Sequence, residues 1–194
     1  MIKNVIFDYG NVICKTDINA LICSFAENEA DFPVLKKAIG EDWAKVDAGY
    51  DYETYLKETL SRLPERLHVP CKRFFAEWFM RTPYINGIEA VVSALKARGY
   101  RLFLLSNAPE YFYKNLHFFR IFDHFDGFVV SGCEKVVKPD LRIYRILLER
   151  FDLRAEECVF FDDLAQNVAG AKAAGIAAYQ FFGDVKLIKE LLLQ

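Results

Sequence analysis

Five short apolar runs, at residues 5–7, 102–105, 128–130, 159–161 and 177–181, recur along the chain, and turns and segments of helical period follow them. This order constrains the fold more than any other feature. A strand covered on both faces reads as an unbroken apolar run, and parallel strands can be joined only by a long crossover, usually a helix. The helices between the runs are legible too. Ile88, Val91, Val92 and Leu95 fall at i, i+3, i+4 and i+7, with Asn86 before them as an N-cap and Gly99 where a helix-ending glycine belongs. Tyr144, Leu147, Leu148 and Phe151 repeat the pattern, and an alanine-rich helix from about Asn167 closes at Gly175. The expectation is an α/β architecture with an open, right-handed parallel sheet.

Residues 15–83 break the alternation. No convincing buried strand occurs there, whereas apolar side chains recur at helical spacing, as in Tyr52, Tyr55, Leu56 and Thr59 or Phe74, Phe75, Trp78 and Phe79. A helical insertion is expected, dividing the chain into a core of residues 1–14 and 84–194 and an inserted unit of residues 15–83. The insertion leaves after the first strand and returns before the second, beside the carboxyl edge of the sheet where α/β proteins bind ligands. Two readings stay open: a lid over a site, or a subdomain that only completes the core. Tyr50, Tyr52 and Tyr55 either face substrate or pack helices, and their spacing favours packing.

With 194 residues, 53% of them hydrophobic, the chain can bury one full core, which excludes disorder. A net charge of -2 supplies no broad positive field, so neither nucleic acid nor a membrane surface is an expected partner; a small ligand is. No apolar run approaches the ~18 to 20 residues that span a bilayer. Cys14, Cys23, Cys71, Cys133 and Cys158 are odd in number and widely separated, and read as reduced packing residues. The first strand begins too early to leave room for a secretion signal, so a cytoplasmic location is expected. Monomer and homodimer stay equally open.

The candidate chemistry sits at the ends of the apolar runs. Asp8 ends the first, and Gly10 and Asn11 follow it in a turn where glycine lets backbone approach a ligand. The second ends in Ser106 and Asn107, whose hydroxyl and amide suit phosphate oxygens, although Ser-Asn is also ordinary turn chemistry. Lys138 precedes Pro139, which restricts its backbone and favours a helix from near Asp140. The fourth run ends in Asp162 and Asp163, adjacent like charges that cost energy unless a cation or donors compensate. His68, His117 and His124 show no metal-ligand spacing.

Asp, Ser, Lys and Asp-Asp at successive strand ends, in that order, resemble the four motifs of the haloacid dehalogenase superfamily over essentially the whole chain. The resemblance implies a three-layer, Rossmann-like sheet, with residues 15–83 where that superfamily carries a helical cap of the first type. Phe7-Asp8-Tyr9-Gly10-Asn11-Val12 and Asp162-Asp163 followed by Asn167 look most similar to its bacterial glucose-1-phosphate phosphatases. It implies a magnesium-dependent phosphatase acting on a small phosphorylated metabolite, with Asp8 as the nucleophile that becomes an aspartyl phosphate. Ser106, with Asn107 and Asn11 nearby, would bind the phosphate, and Lys138 would hold it and orient Asp8. Mg2+ would sit on Asp8, the Gly10 carbonyl, Asp163 and Asp162, the last either a ligand or an outer partner. In one respect the chain departs from the pattern: most phosphatases of this superfamily carry a general acid where Gly10 stands. Three ways round it are open: a substrate with a good leaving group such as a sugar 1-phosphate; help from Asn11, water or a cap residue; or reduced activity. A haloacid dehalogenase and a catalytically silent binding protein are the competing readings.

Overall fold

The computed structural model describes residues 1–194. Its strands are β1 (Asn4–Phe7), β2 (Arg101–Ser106), β3 (Gly127–Val130), β4 (Cys158–Asp162) and β5 (Ala177–Gln180). All pair in parallel, in the order β3-β2-β1-β4-β5. Val5 lies opposite Leu102 on one side and Val159 on the other, and Phe7 opposite Leu104 and Phe161. Alternation along each strand assigns the faces. Val5, Phe7, Leu102, Leu104, Val159 and Phe161 enter one core, and Ile6, Phe103, Leu105, Cys158 and Phe160 enter a second. Both faces are covered, so the strands read as apolar runs and not as alternating ones.

Between β1 and β2 the chain forms α1 (Ile18–Cys23), α2 (Asp31–Gly40), α3 (Trp43–Asp47), α4 (Tyr52–Ser61) and α5 (His68–Glu77) before returning through α6 (Ile88–Ala97). The remaining helices are α7 (Glu110–Lys114), α8 (Ser131–Glu134), α9 (Leu141–Arg150), α10 (Ala165–Ala173) and α11 (Lys186–Leu192). α6 and α11 cover one face through Ile88, Val91, Val92, Leu95, Ile188 and Leu192. α9 and α10 cover the other through Ile143, Tyr144, Leu147, Val168 and Ala171, giving three layers. No helix is long and apolar enough to cross a membrane.

The helical insertion packs around Trp43, whose ring meets Tyr52, Tyr55, Phe74, Phe75 and Trp78 edge-on. Its buried residues, among them Leu35, Tyr55 and Phe74, are continuous with Val5 and Phe7 in a single cluster of 39. The insertion therefore extends the core on that face of the sheet. Two local readings need correction. Asn86 does not cap α6: Gly87 holds that position at φ +79°, with no side-chain hydrogen bond, a left-handed turn that glycine tolerates. Cys14, Cys71 and Cys158 are buried thiols, but Cys23 and Cys133 are exposed, so packing accounts for only three of the five.

Candidate active site

β1 is central, and the chain crosses from one side of it to the other between β3 and β4, so the carboxyl ends of β1, β2 and β4 frame a crevice at the switch in strand order. Asp8 leaves β1 with its amide still bonded to the Phe161 carbonyl at 3.0 Å, which sets it beside Asp162. Its Oδ1 accepts from the Tyr9 amide at 2.7 Å and pairs with Lys138 Nζ at 2.8 Å, which leaves Oδ2 as the oxygen without a protein donor. Burial pushes the Asp8 carboxyl up to about 6 against the pull of Lys138, with the charge of Asp162 adding to the rise.

Lys138 is almost wholly enclosed. Its ammonium reaches Asp8 Oδ1, Asp162 Oδ2 at 2.7 Å and the Leu105 carbonyl at 2.9 Å. An ammonium has three donors, and all three are engaged. Burial works against its charge, but Asp8 and Asp162 outweigh that and hold the lysine above its usual range. The peptide to Pro139 is cis. Asn107 clamps this backbone from both sides: its Oδ1 accepts from the Lys138 amide at 2.8 Å, and its Nδ2 donates to the Lys138 carbonyl at 3.0 Å.

The two acids at the end of β4 have different surroundings. Asp162 is sealed, and its oxygens accept from Lys138, the Leu164 amide at 2.8 Å and the Asn167 amide at 3.0 and 3.1 Å. Asp163 is half-buried, and its Oδ2 accepts from Asn11 Nδ2 at 2.9 Å. Asn11 sits at φ +54°, in the left-handed region that asparagine enters more readily than most side chains, and its Oδ1 accepts from the Thr16 amide at 3.0 Å. Carboxylate oxygens of Asp8, Asp162 and Asp163 lie within 4.8 Å of one another. An all-oxygen set of this kind fits Mg2+, which takes one or two carboxylates and keeps several waters. The Asp162 oxygens are already taken up by protein donors, so Asp8 and Asp163 are the acids best able to hold the ion.

A cavity of about 380 Å³ opens onto this cluster, lined by Asp8, Gly10, Ser106, Asn107 and Lys138 from the core, and by Trp43, Asp47 and Trp78 from the insertion. The strand-end residues singled out from the sequence thus converge, although Asn11 and Asn107 spend their amides on Asp163 and Lys138. None of Tyr50, Tyr52 and Tyr55 lines this space. Tyr55 donates to the Ile39 carbonyl and Tyr52 to that of Phe75, while Tyr50 and Tyr52 border a separate cleft of about 590 Å³. The histidines stay outside the acidic cluster.

Sequence reasoning missed Asp47, the last residue of α3. Its carbonyl accepts from Ser131 Oγ at 2.5 Å, and that hydroxyl also accepts from the Ala108 amide at 3.0 Å. Its Oδ1 is buried without a partner. Burial lifts the carboxyl to about 7, an effect the nearby Trp43 indole offsets only in part, with the charge on Asp8 adding to it. An available signal was the sequence Asp47-Ala48-Gly49, an acid ahead of a helix-ending glycine.

Residues 2–175 match the family described as haloacid dehalogenase-like hydrolase. The chain belongs to that family. Among curated relatives it is 32% identical over 124 residues to the phosphorylated carbohydrates phosphatase of Thermotoga maritima, covering 62% of this chain and 55% of that protein. The chain spans about half the length of the first curated relatives it matches. A HAD-like family hydrolase from Porphyromonas gingivalis superposes with a TM-score of 0.76 at 21% identity, covering 100% of this chain and 99% of the other. The L-2-haloacid dehalogenase of Xanthobacter autotrophicus superposes at 0.66 and 16% identity, covering 100% and 89%. At such identities these structures establish a shared fold and do not choose between the chemistries found on it.

Proposed function

We propose that the chain is a Mg2+-dependent phosphatase that hydrolyses a small phosphorylated metabolite through an aspartyl phosphate on Asp8. In this reading residues 1–14 and 84–194 form the catalytic core and residues 15–83 the cap. The observation that carries it is the meeting of Asp8, Asp162 and Asp163, with one enclosed ammonium paired to the first two, a charge arrangement that a divalent cation and a phosphate would complete. Lys138 directs Asp8 Oδ1, leaving Oδ2 to attack phosphorus. Ser106 borders the transferring group, and Asn107 fixes the Lys138 backbone. Mg2+, held by Asp8, Asp163 and the Gly10 carbonyl with Asp162 behind them, would offset the repulsion between carboxylate and phosphate. Asn11 aims Asp163.

The likeness to a phosphorylated carbohydrates phosphatase supports a sugar phosphate as substrate. Gly10 has no side chain with which to protonate a leaving group, and this favours a sugar 1-phosphate such as glucose 1-phosphate, in line with the motif resemblance. The shared fold with a dehalogenase keeps carbon-halogen hydrolysis as a second reading. That reaction needs no metal and leaves the Asp163 carboxylate without a task.

A screen of phosphorylated metabolites for released phosphate tests the proposal. Turnover is expected with Mg2+, lost in EDTA and restored by Mg2+, and Asp8→Asn is expected to remain folded but inactive. Chloride release from a haloacid in the presence of chelator would instead support the dehalogenase reading, and no turnover of any ester, including p-nitrophenyl phosphate, a silent binding protein.

A further inference from the structure

Hydrolysis at Asp8 expels an alkoxide unless a proton reaches the leaving oxygen, and apart from the Ser106 hydroxyl, which borders the phosphate and is too weak an acid to replace a carboxyl, the core supplies no uncommitted donor for it. Gly10 is bare. All three Lys138 protons are held by Asp8, Asp162 and the Leu105 carbonyl. Asn11 and Asn107 have committed their amides to Asp163 and Lys138. One titratable residue of the insertion lines the cavity. Asp47 lines the same space as Asp8 and Ser106, and its Oδ1 is sealed from solvent without a hydrogen-bond partner. An ionised carboxylate left that way is costly, whereas a protonated one is far less so.

The placement is built. Ser131, in the core, bonds the Asp47 carbonyl with its hydroxyl and the Ala108 amide with the same oxygen, tying the end of α3 to the turn that follows β2. Gly49, two residues on, lies so close to the core that a Cβ there would fall 2.9 Å from the Gly132 carbonyl. The backbone of Asp47 is thereby tied to the core beside the cavity that Asp8 also lines.

We propose that Asp47 is the general acid of this enzyme, delivering from the cap the proton that the Gly10 position cannot. The inference rests on the phosphatase reading above. As the bond from Asp8 Oδ2 to phosphorus forms and the ester P–O bond breaks, the Asp47 proton passes to the leaving oxygen, giving a neutral alcohol and an Asp47 carboxylate. Water then attacks the aspartyl phosphate and gives its proton to Asp47, releasing phosphate and restoring both acids. Burial, which keeps the carboxyl protonated up to about pH 7, suits both halves of this cycle.

The test compares phenyl phosphate with p-nitrophenyl phosphate, whose phenolate leaves without a proton, using the Mg2+-loaded full chain. Neither ester has a hydroxyl for Asp47 to recognise, so a role in sugar binding would not separate them. In Asp47→Asn, kcat/KM for phenyl phosphate is expected to fall about 10²- to 10³-fold and that for p-nitrophenyl phosphate by less than about tenfold. Equal losses on the two esters, or none, would overturn the assignment. The wild type provides an independent reading that does not depend on folding of the variant: proton delivery predicts similar rates for the two esters, and a steep fall from the nitrophenyl to the phenyl ester also overturns it. A wild type that hydrolyses neither ester nor any phosphorylated metabolite of the screen in Mg2+ sinks the phosphatase reading itself, and this inference with it; one that turns over metabolites but neither aryl ester overturns this inference alone.

Discussion

At the scale of single residues, the site is organised by side chains that do not touch the reacting atoms. Asn107 holds both ends of the Lys138 peptide, and Asn11 holds Asp163, each with amide groups that suit a donor-acceptor pair at fixed spacing. Replacing Asn11 with glycine separates this function from backbone shape, because glycine accepts the φ of +54° without strain. Asn11→Gly is expected to raise the Mg2+ concentration for half-maximal activity about 10- to 100-fold, the usual cost of removing the partner that orients a metal-binding carboxylate, while kcat at saturating Mg2+ changes far less. A Mg2+ titration of initial rates measures both. Asp8, Ser106 and the Asp-Asp pair were legible in the sequence because each ends an apolar run, Gly10 because it follows Asp8 in the turn, and Lys138 because it precedes Pro139. Asn11 and Asn107 were noticed, but their partners lie 152 and 31 positions away, so only the fold reveals what they hold.

At the scale of elements, the turn after α3 joins the insertion to the core. Gly49 has φ +94°, and an added Cβ would meet the Lys135 side chain at 2.8 Å and the Gly132 carbonyl at 2.9 Å. Gly99 shares the left-handed backbone, at +84°, with open space around it. Alanine at either position carries the backbone cost, about 1–2 kcal/mol. Only at Gly49 must the turn also move, carrying Asp47 with it. Both variants are expected to melt at lower temperature, with Gly49→Ala the lower of the two and alone in losing phenyl phosphatase activity. Calorimetry and steady-state rates on the pair provide the check. The strands were readable because both faces are buried, and α9 because Asp140 caps it through the Arg142 amide at 2.9 Å. The start of α6 was misread because a glycine conformation does the work expected of an asparagine side chain, and Asp47 was missed because a lone acid at the end of a five-residue helix has no spacing signature.

At the scale of the whole molecule, the buried acids make folding depend on pH in an unusual direction. Paired surface carboxylates such as Asp126 and Asp140 are held below their ordinary values, so their stabilising effect is present at neutral pH and is lost only in acid. Asp8 and Asp47 behave oppositely, being lifted to about 6 and about 7. Below the ordinary value of 3.8 both folded and unfolded chains hold these protons. Above it the unfolded chain releases them first, so stability falls by up to roughly 1.4 kcal/mol per pH unit per group until the folded state releases them too. The metal-free protein is therefore expected to melt at a lower temperature at pH 7 than at pH 5, and Asp8→Asn combined with Asp47→Asn to flatten that slope. Mg2+ held as proposed would favour the ionised form of Asp8 and would need Asp8 and Asp163 brought together, so adding it should raise the melting temperature more at pH 7 than at pH 5. Scans at the two pH values, with EDTA and with Mg2+, test the coupling: a metal-free slope that the double variant leaves unchanged would show that these acids ionise as freely folded as unfolded.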